Sequence, residues 1–324
     1  MKTFFKINVL ILFFVLIANI SYANDELIVE KMLSEYAESF NPITEEIQEQ
    51  TEFTVFTKNS NQTYSITAND IRENNLKKYG EDASRNFTSY YTPIRNNGIE
   101  SNLMLANDPP TYMFNRMNLE TRLCRIVVNG LDTGTGFLVG PNLMITAAHV
   151  VYDENNNVNG IDIYPGYDYG PYNNNYDYKS GWQQIYAYPV WLENHDNRAY
   201  DLAVIELDWN MGDTFGWFGC QSYGTNQEMN NLSIKEYGYP ALLDLGKRQY
   251  YTSGNIFNTH DTYFHSSAVN YEGMSGGPIV RTSDNYAVGI VSSLITTTSG
   301  NTTTYSTYGR RITQDIIDLI NSLN

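Results

Sequence analysis

At 324 residues the chain has room for one or two domains with a sizeable core. Lys and Arg total 20 against 36 Asp and Glu, a formal net charge of −16 that argues against nucleic acid or an anionic membrane as the main partner. Tyrosine is abundant, at 27 residues, and cysteine is scarce, at two.

In chain order, the first feature is a targeting segment. Lys2 and Lys6 precede an apolar run from Ile7 to Ile20, and Ser21-Tyr22-Ala23 offers small residues for cleavage. This predicts a secretory signal peptide over 1–23 and a secreted, extracellular protein with no membrane contact afterwards. Residues 24–102 differ in texture from the remainder of the chain. Leu27, Ile28, Met32, Leu33 and Tyr36 keep a helical rhythm, and "SNQTYSITANDIRENNLKKYG" reads as a short strand followed by a helix. With no histidine or cysteine, the segment reads as a propeptide; a retained N-terminal domain is the alternative.

Residues 103–324 read as a single all-β domain. Short β-branched and aromatic runs such as "RIVVNG", "LMITAAHVV", "DLAVIEL", "SIKEYGYP", "TYFHSSAV", "GPIVRTSD" and "YAVGIVSSL" alternate with Gly, Asn, Asp and Pro clusters. That texture belongs to a sandwich or barrel. The stretch from Tyr164 to Trp191, dense in Tyr, Asn, Gly and Asp, reads as a long surface excursion. Asp162, Asp168 and Asp177 carry oxygens of the kind calcium takes, but not at the spacing of a calcium loop, so no metal or cofactor is expected. The tail is helical from Thr313 to Leu323, with Ile312, Ile316, Ile317, Ile320 and Leu323 on one face. Export permits a disulfide between Cys124 and Cys220; two buried free thiols are the alternative.

The chemistry centres on "NYEGMSGGPIV", where Ser275 stands among glycines. A serine hydroxyl needs a base, the base needs a group to orient it, and the oxyanion needs N–H donors. All four histidines, at 149, 195, 260 and 265, precede Ser275. This rules out the serine–acid–histidine order that "GMSGG" suggests in an α/β-hydrolase. The order histidine, acid, serine remains. "LMITAAHVV" puts His149 at the end of an apolar strand, and "AYDLAVIEL" puts Asp201 at the start of another. His195, in the polar run "ENHDNRAYD", reads as a surface residue, and His265 as a strand-face residue.

The blocks "TAAHV", "YDLAVIEL" and "GMSGGP" resemble the three catalytic blocks of the chymotrypsin-fold serine proteases. "GTGFLVGPNLMITAAHVVYD" and "YGRRITQDIIDLI" look more like the bacterial glutamyl endopeptidase branch. The resemblance covers Arg122 to the C-terminus. It implies two antiparallel six-stranded β-barrels with a C-terminal α-helix and an active site between them. It also implies a monomeric endopeptidase acting on protein or peptide substrates through an acyl-enzyme, made as a zymogen. His149 would be the base, Asp201 its orienting acid and Ser275 the nucleophile, with the N–H groups of Gly273 and Ser275 as oxyanion hole. Val269, Asn270, Val291, Ser292, Ser293 and Leu294 would line the substrate site, Ser292 near Asp201, Ser293 and Leu294 pairing with the substrate backbone.

The chain departs from the pattern at four positions. Val291 stands where glutamyl endopeptidases resemble one another in a histidine that receives the substrate carboxylate. Val269 lacks the acid of trypsin-like enzymes, Leu294 replaces a frequent glycine, and Met274 replaces the Asp that binds the freed amino terminus. A neutral or apolar preference is expected. A binding protein or adhesin on the same scaffold, or an esterase with the same triad, are the alternatives.

Overall fold

The strands run from β1 (Glu52–Thr57) and β2 (Gln62–Thr67) through β3 (Asn115–Arg116), β4 (Leu123–Val128), β5 (Leu131–Leu138), β6 (Leu143–Thr146), β7 (Ile161–Pro165), β8 (Trp182–Ala187) and β9 (Ala203–Leu207). They continue with β10 (Ser233–Gly238), β11 (Tyr250–Phe257), β12 (Tyr263–Ser266), β13 (Pro278–Arg281), β14 (Ala287–Ser299) and β15 (Thr302–Arg311), and a helix, Gln314–Leu323, ends the chain. This computed structural model describes residues 52–58, 62–73 apart from 69 and 72, and 109–324 apart from 110, 159, 169–177, 300 and 301. All of them fall in the unit Thr51–Asn324. The expected signal peptide and the helical rhythm at 27–36 lie outside the described residues.

The pairings form two antiparallel sheets. One closes: β10-β13-β14-β15-β12-β11 returns to β10, making a six-stranded barrel to which short β3 adds at β11. The other is open and eight-stranded, in the order β2-β1-β8-β9-β6-β5-β4-β7. Two closed six-stranded barrels were expected; the second is not formed because β1 occupies the edge of β8 from Thr54↔Ala187 to Thr57↔Gln184. One isolated bridge, Ile163 to Ser180, with 2.9 Å N–H···O bonds both ways, reaches from β7 toward β8.

Alternation explains the burial. In β1 every second residue from Phe53 is inward, so Phe53 and Val55 are buried, and Ile71 joins them in the core of the open sheet with Leu123, Ile126, Phe137 and Ile205. Phe53 lies 4.9 Å from the Tyr188 ring, and Lys58 pairs with Asp208 at 3.6 Å. Residues 52–57 and 62–67 of the expected propeptide are thus strands of the open sheet. The C-terminal helix buries Ile316, Ile317, Leu319 and Ile320 in the same core, and Tyr188 donates to Asp315 at 2.6 Å. The barrel holds a separate core around Phe264, Ile279, Val288 and Val291.

The expected surface excursion at 164–191 is corrected in part. Its second half is β8 and the turn after it, with Trp182, Ile185, Tyr186, Tyr188 and Trp191 buried. Cys124, on β4, and Cys220, bridged to Ala287, are buried free thiols, and burial pushes both up. The disulfide that export permits is not formed.

Candidate active site

Strand register brings His149 and Asp201 together. Thr146 of β6 pairs with Ala203 of antiparallel β9, so the residue three after Thr146 and the one two before Ala203 leave the sheet at the same end. His149 sits in a one-turn helix, Ala148–Val151, and Asp201 follows the 3-10 turn Arg198–Tyr200. Asp201 is completely buried. Its Oδ2 lies 2.7 Å from His149 Nδ1, and its Oδ1 accepts the His149 backbone N–H at 3.0 Å. Because a carboxylate can only accept, Nδ1 carries the proton and Nε2 is left as the basic nitrogen. Burial pushes the Asp201 carboxyl up. The charge and hydrogen bonds of His149, with the Ser292 hydroxyl, outweigh this and hold it at about 2.

Ser292 reaches this carboxylate through a β-bulge. The β14–β15 register shifts between Val291 and Ser293, and the extra residue turns Ser292 Oγ onto Asp201 Oδ2 at 2.6 Å. Arg198 adds a cation 3.5 Å from Asp201 Oδ2, a contact that no motif in the sequence announces.

The Ser275 turn is seated between the two sheets. Thr135 of β5 donates its N–H to Ser275 O at 2.9 Å and its hydroxyl to Gly273 O at 2.6 Å. Gly273 and Gly276 hold φ of 91° and 82°, a region that L side chains avoid. A Cβ on Gly276 would stand 2.6 Å from the Ala147 nitrogen, so this turn packs on the segment that carries His149. The Met274, Gly276 and Gly277 N–H groups donate to Tyr271 O, Val291 O and Met274 O. Those of Gly273 and Ser275 have no acceptor among the described residues, and neither has the half-buried Ser275 hydroxyl. Met274 is fully buried in the barrel core.

The expected substrate-site residues fall on one side of this turn. Val269 and Val291 are buried apolar residues, Ser293 and Leu294 are half-buried on β14, and Asn270 donates to Ser293 O at 3.0 Å. β13 pairs with β14 only as far as Ile290, so beyond it β14 has its ladder partner, β15, on one side. The other histidines sit elsewhere. His195 stacks on Trp191 at 4.2 Å and bonds Asn156 at 2.7 Å. His260 stacks on Tyr263, and His265 meets Asn258. Asp162 pairs with Lys179 and Asp168 with Arg116, while Asp177 lies outside the described residues. No group of three or more His, Cys, Asp or Glu is placed to hold a metal among the described residues.

Residues 134–290 match the family described as the trypsin-like peptidase domain. Over that stretch the chain is similar to trypsin-like peptidases. An extracellular metalloprotease of Bacillus subtilis is 29% identical over 194 residues, and a glutamyl endopeptidase of Bacillus licheniformis is 26% identical over 190. The alignments cover 57% and 56% of this chain, and 56% of each relative, so the chain spans about half the length of the curated relatives it matches. Among solved structures, a Glu endopeptidase matches with TM-score 0.53 at 21% identity, over 65% of this chain and 95% of that one. The protease Anisep of Arthrobacter nicotinovorans matches with TM-score 0.51 at 20% identity, over 64% and 99%. The part of the chain that these structures cover therefore has a chymotrypsin-like fold.

Proposed function

We propose that the protein is a secreted serine endopeptidase using His149, Asp201 and Ser275. The observation that carries this is the pair of unspent N–H groups, of Gly273 and Ser275, flanking a half-buried serine whose turn packs on the histidine's segment. Two N–H groups left without a protein acceptor on either side of one nucleophile candidate are what an oxyanion hole requires.

In the substrate complex His149 Nε2 takes the Ser275 proton as Oγ attacks the scissile carbonyl. The oxyanion is held by the N–H groups of Gly273 and Ser275. Asp201 keeps Nδ1 protonated and stabilises the imidazolium, and Nε2 then gives its proton to the leaving amine. Water hydrolyses the acyl-enzyme by the same route. The substrate backbone joins the open side of β14 at Ser293 and Leu294. Val269 and Val291 make the side-chain pocket apolar, and neither residue can pair with a carboxylate, so the preference is for neutral side chains.

The protein is made as a zymogen cut between Arg95 and Asn107. N-terminal sequencing of secreted, active material tests this: a start between residues 95 and 107 is expected, with or without the retained fragment's own, and a single start at Asn24 refutes it. The catalytic assignment is tested with a fluorophosphonate. Ser275 becomes labelled and the Ser275→Ala variant does not; an adhesin on this scaffold leaves Ser275 unmodified.

A further inference from the structure

Glu236 is an unexpected charge. It lies on an inward position of β10 and is completely buried, with Ser266 Oγ donating to Oε1 at 2.5 Å and Thr307 Oγ1 to Oε2 at 2.7 Å. Two hydroxyls do not offset the cost of burying a carboxylate, and burial pushes it up to about 7.

The hydrogens of its neighbours fix a direction. Thr307 has one hydroxyl hydrogen, given to Glu236 or, at 3.2 Å, to Ala268 O. In either state Thr307 Oγ1 accepts from Asn270 Nδ2 at 2.8 Å. The second hydrogen of Nδ2 goes to Ser293 O at 3.0 Å. Both amide hydrogens are then spent. Asn270 keeps only Oδ1, which has no partner among the described residues, and the residue stays 4% exposed beside the site strand.

We infer that Asn270 is a specificity-determining residue: pinned by Thr307 and the Ser293 carbonyl, it offers Oδ1 as an acceptor to the substrate side chain, with Glu236 behind it as a positioning residue. This rests on the endopeptidase reading of the same site. The side chain selected, on the residue whose carbonyl is attacked, is one that donates hydrogen bonds and carries no negative charge. A carboxylate there would bring two acceptors against Oδ1, with a second carboxyl behind and no hydrogen left on the Asn270 amide to satisfy them.

Glutamine, methionine and glutamate are near-isosteric probes. Three peptides differing only at that residue are compared by kcat/KM on the processed protein, beside fluorophosphonate labelling of Ser275. Glutamine exceeds methionine by about tenfold or more, and glutamate is slowest. Thr307→Val brings the glutamine-to-methionine ratio toward one, whereas Thr307→Ser keeps it. Glu236→Gln narrows the glutamine-to-glutamate ratio and leaves the glutamine-to-methionine ratio, a split that a purely structural role would not produce. If labelled wild-type protein cuts the glutamate peptide as fast as the glutamine peptide, the inference is wrong and the endopeptidase reading stands. If Ser275 does not label and no peptide is cut, both fall. The wild-type ratios decide whether or not the valine variant folds.

Discussion

Asp201 and Glu236 are both completely buried carboxylates, one at the end of the open sheet and one inside the closed barrel. Asp201 is surrounded by an imidazole, a backbone N–H and a hydroxyl, and is held at about 2; Glu236 has two hydroxyls and is pushed up to about 7. Burial acts upward on both, so the partner decides the sign. A buried acid beside a base is a fixed negative charge, suited to steadying an imidazolium. A buried acid among hydroxyls changes its charge near neutrality and orients what it touches.

The sharpest way to break this contrast is Asp201→Asn. The amide can present its NH₂ to Nδ1 and stabilise the wrong tautomer, so turnover falls about 10⁴-fold while the fold persists, as steady-state kinetics beside circular dichroism will show. The next effect is on stability. From about pH 4.5 to 7 the folded chain holds a proton on Glu236 that the unfolded chain has released, so stability declines across that window, by about 3 kcal/mol for this group. Denaturant melts at several pH values check this, and Glu236→Gln flattens the decline. Asp201 acts the other way. Its contribution, about 2 kcal/mol, is complete above pH 4 and is lost as pH falls toward 2, and Asp201→Asn lacks that acid limb. The smallest effect belongs to Ser292→Ala. Losing the 2.6 Å bond lowers turnover by roughly tenfold and moves the Asp201 acid limb upward, read from the same melts.

Much of the candidate site could be read from the chain because its residues come in local blocks. His149 follows an apolar strand and two alanines, Asp201 opens another strand, and Ser275 stands among glycines that its φ angles require. The closing helix was legible from its isoleucine spacing, and most barrel strands from their punctuation. β8 was not, because "WQQIYA" sits inside a Tyr- and Asn-rich run whose composition resembles a loop. β1 was not, because "EFTVFT" belongs to a segment read as a propeptide, although Phe53 and Val55 alternate as core residues should. Glu236 occupies an inward beat between Ile234 and Gly238, a visible signal that only the fold turns into a statement about Asn270. Arg198 lies next to Asp201 through a 3-10 turn that no periodicity announces.

The strand that β1 adds to β8 has its own consequence. Its backbone ladder, Phe53, Val55 and the Lys58–Asp208 pair tie it to the sheet without any covalent help. Scission of the chain between residues 73 and 109 therefore does not by itself discharge this piece. The cut molecule is a two-chain particle, one mass in native conditions and two in denaturant, with its own severed fragment shielding the β8 edge from other molecules.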